Sequence, residues 1–170
     1  GMTTTTHERG FTIVRHFVAA PETVWRAWTE PAHLGWFAGP DSPRDDRPIT
    51  VDLRVGGAWR IWLVEGGSGR SYTTGGIYHV IEAPRRLVFS WGAIDGWPAL
   101  NPDRLDDVPL VTVALHEQDG GTTMTFDLTL SEQLTPLAVR GWFDLGILPG
   151  WSATLDKLDP HLTTRTWSTP

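Results

Sequence analysis

Alternation of hydrophobic and polar residues is the main pattern of the chain, and it predicts β-strands. In "FTIVRHFV", residues 11–18, Phe11 and Ile13 share one face of a strand, and Phe17 joins them if a bulge intervenes. Glycine-rich or polar turns separate most of the further segments of this kind, which favours antiparallel pairing of about seven strands. These segments are residues 49–55, 58–64, 72–82, 87–91, 109–118 and 123–130.

Three segments instead have helical spacing. Pro21 opens a short helix after the first strand, and "AHLGWF", residues 32–37, predicts a second short helix. The longest helix is predicted from about residue 136 to residue 162. Pro149 cannot donate a backbone hydrogen bond there, so a kink or break is expected between residues 145 and 151.

One apolar face of the predicted sheet needs a cover, and the last helix is the only element long enough to provide it. The sequence therefore predicts an α+β fold in which a curved sheet wraps around the C-terminal helix. Paired glycines such as Gly56 and Gly57 would let the strands bend and turn. Trp62 is expected on the opposite, convex face. The concave face is assigned to Trp59, Ile61, Leu63, Leu87, Phe89, Trp91, Met124, Phe126 and Leu128.

Composition narrows the range of functions. The 170 residues include 14 basic and 20 acidic side chains, a net charge of −6, and no basic cluster that could follow a nucleic acid backbone. No cysteine is present, which excludes disulfides and thiolate chemistry. No apolar segment approaches the length of about 20 residues that spans a membrane, and no signal peptide is recognised, so a cytoplasmic protein is expected. Residues 1–9 and 163–170 are expected to be flexible tails.

The search for catalytic chemistry finds no recognised motif. Six histidines occur without the paired spacing of a zinc site, and neither a nucleophile elbow nor a phosphate-binding glycine loop is present. We therefore expect no metal and no cofactor. Arg60 and Tyr78 are the polar strand residues that could orient a bound molecule, and whether any reaction is catalysed stays open.

Four stretches together resemble a known superfamily. They are "AAPETVWRAWTEPAHLGWFAGP", "VGGAWRIWL", "GGIYHVIEAPRRLVFSW" and "GWSATLDKL". The combination resembles the START-like, or SRPBCC, superfamily, and within it the branch named for the activator of Hsp90 ATPase homologue 1. The similarity covers one domain at residues 10–162. It implies a helix-grip fold with a deep apolar cavity between the curved sheet and the C-terminal helix.

Binding of a small hydrophobic or aromatic molecule in that cavity is the function that this resemblance and the aromatic strand faces favour. The expected lining residues are Trp36, Phe37, Trp59, Ile61, Tyr78, Phe89, Trp91, Trp97, Val113, Phe126, Trp142 and Leu145. Two alternatives stay open. One is a cyclase or dehydratase that uses the same cavity, and the other is a protein-binding module with a chaperone partner and a role in the stress response. A homodimer is also left open, whereas nucleic acid and membrane insertion are not expected.

Overall fold

A single antiparallel sheet contains all nine strands of the described residues. The computed structural model describes residues 3–38, 42–43, 46–64, 67–92 and 100–164. The strand order is β1-β2-β9-β8-β7-β6-β5-β3, and β4 also pairs with β5. The strands are β1 Thr3–His7, β2 Gly10–Phe17, β3 Ser42–Pro43, β4 Thr50–Val51, β5 Ala58–Val64, β6 Ser71–Glu82, β7 Arg86–Gly92, β8 Leu110–Gln118 and β9 Gly121–Thr129.

Two of these strands were not predicted from the sequence. Residues Thr3–His7 form an exposed edge strand that pairs with β2, where a flexible tail was expected. Threonine favours extended backbone, and the hydrogen bonds of β2 supply the partner, so the strand forms without any apolar residue. The second, Ser42–Pro43, pairs with the end of β5. Residues 165–170 of the other predicted tail lie outside the described residues.

The concave face of the sheet carries the residues that the alternation assigns to it. Trp59, Phe89 and Phe126 are at most 3% exposed, and of the nine predicted residues only Trp91 is half-buried. In β2, Phe11, Ile13 and Phe17 share this face without any bulge, because all three have odd numbers in an unbroken register with β9.

The predicted long C-terminal helix consists of three shorter ones. The chain turns at Gly146, which has a left-handed backbone with φ of 84°. Pro149 lies in the first turn of the following helix, where backbone N–H groups have no acceptor within the helix, so proline breaks no hydrogen bond there. The break is therefore confirmed, but Gly146 rather than Pro149 makes it. The helices are α1 Pro21–Thr29, α2 Pro136–Asp144, α3 Ile147–Leu155 and α4 Leu158–Thr164, and a 3-10 helix, Leu34–Ala38, replaces the second short helix.

Helices α3 and α4 bury their apolar side against the sheet and α1. Trp151, Leu155, Leu158 and Leu162 are all at most 6% exposed. A curved antiparallel sheet wrapped around C-terminal helices is the α+β helix-grip arrangement. In the described part of the chain, no helix is long and apolar enough to cross a membrane.

Candidate functional site

Between the concave face and helices α2 and α3, seven aromatic rings are joined around Trp151, and Phe11, Trp28 and Trp36 extend the ring contacts beyond them. The ring centroid of Trp151 lies 4.7 Å from that of Phe126, 5.2 Å from that of Trp91 and 5.5 Å from that of Phe37. The other contacts complete a continuous path of rings. We call these seven rings the aromatic cluster, and its members are Phe37, Trp59, Phe89, Trp91, Phe126, Trp142 and Trp151.

The aromatic cluster extends from the core to the protein surface. Phe89 and Phe126 on the sheet are at most 1% exposed, whereas Phe37, Trp91 and Trp142 are half-buried. The ring centroids of Trp91 and Trp142 are 6.5 Å apart, so a strand residue and an α2 residue meet at this partly exposed end. An apolar molecule that reaches these rings would find aromatic surface continuous with the core.

A glycine makes room for one ring of the cluster. Gly76 of β6 pairs with Trp59 on one side and with Trp91 on the other, so the three residues form a row across the sheet. A β-carbon on Gly76 would lie 2.5 Å from Nε1 of Trp59 and 2.8 Å from Cδ2 of Phe89. The Trp59 indole therefore occupies the space that a side chain at position 76 would need.

Few polar atoms face this apolar interior. Nε1 of Trp91 donates a 3.0 Å hydrogen bond to Oγ1 of Thr74. The Tyr78 hydroxyl is buried and has no hydrogen-bond partner among the described residues. Burial raises the pKa of Tyr78 above its ordinary value, and the negative charge of Asp52 adds to the shift. Tyr78 therefore keeps its proton and remains a neutral hydrogen-bond donor.

Most of the other predicted lining residues lie in the core around the cluster. Ile61 and Val113 are at most 1% exposed on the concave face, as is Tyr78. Trp36 is buried against Trp28, with ring centroids 5.1 Å apart, and its Nε1 donates to the Ala27 carbonyl. Trp36 thus packs the 3-10 helix onto α1.

Of the predicted lining residues that the structure describes, only Leu145 lies outside both the aromatic cluster and the core around it. Leu145 is 57% exposed at the end of α2, so its assignment to a buried lining is wrong. The prediction treats residues 136–162 as one helix, whereas the chain turns at Gly146. Trp97 lies outside the described residues. Arg60, considered as a polar group that orients a ligand, is exposed on the convex face.

Sequence reasoning missed a buried charge on the concave face. Arg15 is 6% exposed, and its guanidinium lies 3.2 Å from the carboxylate of Asp156 after α3. The same group also lies 3.4 Å from Oγ of Ser152. The signal was present in "FTIVRHFV", because alternation places position 15 on the face of Phe11 and Ile13. This ion pair ties the end of α3 to the sheet.

A surface groove lies between the β1–β2 turn and α2, apart from the aromatic cluster. It has a volume of about 340 Å³ and is lined by Glu8, Arg9, Pro136, Val139, Arg140 and Phe143. Three of these six side chains are charged, in contrast to the aromatic cluster. Within the described ranges, no three histidine or carboxylate side chains are placed to hold a metal ion.

Solved structures share this architecture. Protein Ms6760 from Mycobacterium smegmatis is 24% identical, with a TM-score of 0.72 over 98% of this chain and 100% of that one. A protein from Arthrobacter aurescens is 22% identical, with a TM-score of 0.76 over 96% of this chain and 92% of that one. The AHSA1-like protein from Aeromonas hydrophila is 21% identical, with a TM-score of 0.63 over 94% and 99%. At these identities the similarity supports the fold alone.

The match to a family model is more specific. No curated protein matches the chain. The model described as "Activator of Hsp90 ATPase homolog 1-like protein" matches residues 18–163, which include α1, most of the sheet and nearly all of the C-terminal helices. The chain therefore belongs to the family of activator of Hsp90 ATPase homolog 1-like proteins.

Proposed function

We propose that this protein binds a small hydrophobic, aromatic molecule at the aromatic cluster, between the sheet and helices α2 and α3. The observation that carries the proposal is the continuous path of rings from buried Phe126 through Trp151 to half-buried Trp91 and Trp142. A surface that is aromatic from the core to the rim offers stacking and edge contacts to a flat apolar molecule.

The break between α2 and α3 supplies an entry route. Trp142 is on α2 and Trp151 is on α3, and the left-handed residue Gly146 separates the two helices. Rotation of the backbone at Gly146 moves α2, and with it Trp142, away from Trp91 while α3 stays packed on the sheet. Opening of this kind exposes the centre of the cluster without unfolding the core.

Quenching of tryptophan emission by 9-fluorenone, a flat apolar molecule, tests the proposal. A rim ring that covers about 55 Å² of the bound molecule contributes about 1.4 kcal/mol, a factor of about ten in affinity. Trp91→Ala should therefore raise the dissociation constant about tenfold.

Trp62→Ala is the matched control. Trp62 lies half-buried on the convex face, and the Arg47 guanidinium sits 5.9 Å from its ring centroid. Its loss should leave the dissociation constant within about twofold of the wild-type value. Absence of saturable quenching, or equal effects of the two substitutions, would contradict binding at the aromatic cluster.

A further inference from the structure

Four aromatic side chains carry a buried hydrogen-bond donor for which the described residues provide no acceptor. These donors are Nε1 of Trp28, Nε1 of Trp59, the hydroxyl of Tyr78 and Nε1 of Trp151. Each side chain is at most 3% exposed, so bulk water does not replace the missing partner. A buried donor without an acceptor destabilises the folded protein, and such groups are rare in native interiors.

All four donors belong to one region. Trp59 and Trp151 are members of the aromatic cluster, and both contact Phe37. Tyr78 pairs with Phe89 in the sheet register, and the Trp28 ring centroid lies 6.4 Å from that of Phe89. The missing acceptors are therefore concentrated around the site where we place the ligand.

The imbalance has one direction. Other than the Tyr78 hydroxyl, which can also donate, no buried side-chain oxygen in the described ranges lacks a partner. Trp36 and Trp91 show that this fold satisfies indole N–H groups where an oxygen is near, since they donate to the Ala27 carbonyl and to Thr74. The region thus has four unpaired donors, and the Tyr78 hydroxyl is the one unpaired side-chain oxygen among its described residues.

We propose that the ligand bound at the aromatic cluster carries a hydrogen-bond acceptor, such as a ketone or ester carbonyl on an aromatic frame, and that Trp59, Tyr78 or Trp151 donates to it. The inference rests on the proposed function. Tyr78 is suited to this role because its hydroxyl stays protonated in the apolar interior. The competing explanation is that ring faces accept the indole N–H groups, since the Trp59–Phe89 and Phe37–Trp151 pairs meet edge to face at 84°.

Three tricyclic probes of nearly equal shape separate these explanations. 9-Fluorenone has a carbonyl acceptor, fluorene has no polar group, and carbazole has an N–H donor. The proposal predicts that 9-fluorenone binds about tenfold more tightly than fluorene or carbazole, because only the carbonyl can pair with a buried donor. It also predicts that the carbonyl stretch of the bound ketone lies at lower wavenumber than in hexane. Equal affinities for 9-fluorenone and fluorene would overturn the inference while leaving the proposed function intact, whereas failure of all three probes to bind would overturn both.

Variants that keep a ring but remove a donor locate the contact. Trp59→Phe, Tyr78→Phe and Trp151→Phe each delete one donor, and at least one should bring the ratio of 9-fluorenone to fluorene affinity close to one. Trp36→Phe is the control, because its donor is already paired with Ala27 and the ratio should not change. The use of a ratio cancels any general loss of packing. An unchanged ratio in all three donor variants would refute the proposal.

Discussion

Gly76→Ala tests the packing at the centre of the site. The added β-carbon would lie 2.5 Å from Nε1 of Trp59, 2.8 Å from Cδ2 of Phe89 and 2.9 Å from the carbonyl oxygen of Ser90. Real β-carbons do not tolerate contacts this short, and the Ser90 oxygen belongs to the neighbouring strand. The Trp59 indole must therefore leave its position, or β6 and β7 must separate.

The change in the free energy of unfolding that Gly76→Ala causes is the difference between two opposing effects. Overpacking of a filled core costs about 1–3 kcal/mol. Alanine in a strand interior gains back about 0.5–1 kcal/mol relative to glycine, because the unfolded chain loses freedom. Gly76→Ala should thus lower the free energy of unfolding by up to about 2.5 kcal/mol.

Urea unfolding measures this loss, and near-UV circular dichroism of the folded variant reports the displaced indole. Gly67→Ala is the matched control, since a β-carbon on Gly67 would meet nothing within 4 Å. That control should be neutral or more stable than the wild type by up to about 1 kcal/mol. A Gly76→Ala protein as stable as the wild type, with an unchanged near-UV spectrum, would refute the assigned packing of Trp59.

Three further predictions concern the turn before β5, the buried phenol and the buried ion pair. Gly57→Ala should lower the thermal stability more than Gly56→Ala, because a β-carbon on Gly57 would lie 2.1 Å from a backbone oxygen. A β-carbon on Gly56 would meet no atom within 4 Å, so Gly56→Ala should cost only the strain of a left-handed backbone with φ of 85°, about 1 kcal/mol. Because burial raises the pKa of Tyr78 above 10.0, the unfolded chain ionises first as the pH rises, and stability should fall above pH 10 by about 1.4 kcal/mol per pH unit. Urea unfolding at about pH 9 and about pH 11 measures this loss, and Tyr78→Phe should remove the part that is due to Tyr78. The same loss of stability in the wild type and in Tyr78→Phe would contradict the prediction. Asp156→Ala leaves the Arg15 guanidinium buried without its counter-charge and should lower the free energy of unfolding by about 1–3 kcal/mol. Arg15→Met should lower it less, because the Asp156 carboxylate that remains is largely exposed to water. A larger loss for Arg15→Met than for Asp156→Ala in urea unfolding would count against the ion pair.

The buried face of the sheet could be predicted from the sequence because strand geometry is local. Side chains alternate between the faces, so the positions of Trp59, Phe89 and Phe126 on one face follow once the strands are recognised. The edge strand Thr3–His7 could not be found in this way, since it has no apolar residue and depends on hydrogen bonds to β2. Arg15 was missed for a different reason: a charge interrupts the apolar pattern, although its ion pair with Asp156 permits burial.

The identity of the site residues was easier to predict than their arrangement. Most of the aromatic residues that were expected to line a cavity do meet, but the central position of Trp151 was not foreseen. That position depends on where α3 begins, which the left-handed turn at Gly146 sets. The same turn explains the error at Leu145, since a helical repeat has no meaning across a helix end.

Binding of a small aromatic molecule at the aromatic cluster is tested most directly through the indole N–H signals. The chain has ten tryptophans, and ¹H–¹⁵N correlation spectra report the environment of each indole separately. On titration with 9-fluorenone, we predict saturable shifts of the signals of Trp91, Trp142 and Trp151, while the signal of Trp62 on the convex face stays in place. Unchanged signals for those three residues at saturating 9-fluorenone, or shifts confined to Trp62, would contradict a ligand site between the sheet and helices α2 and α3.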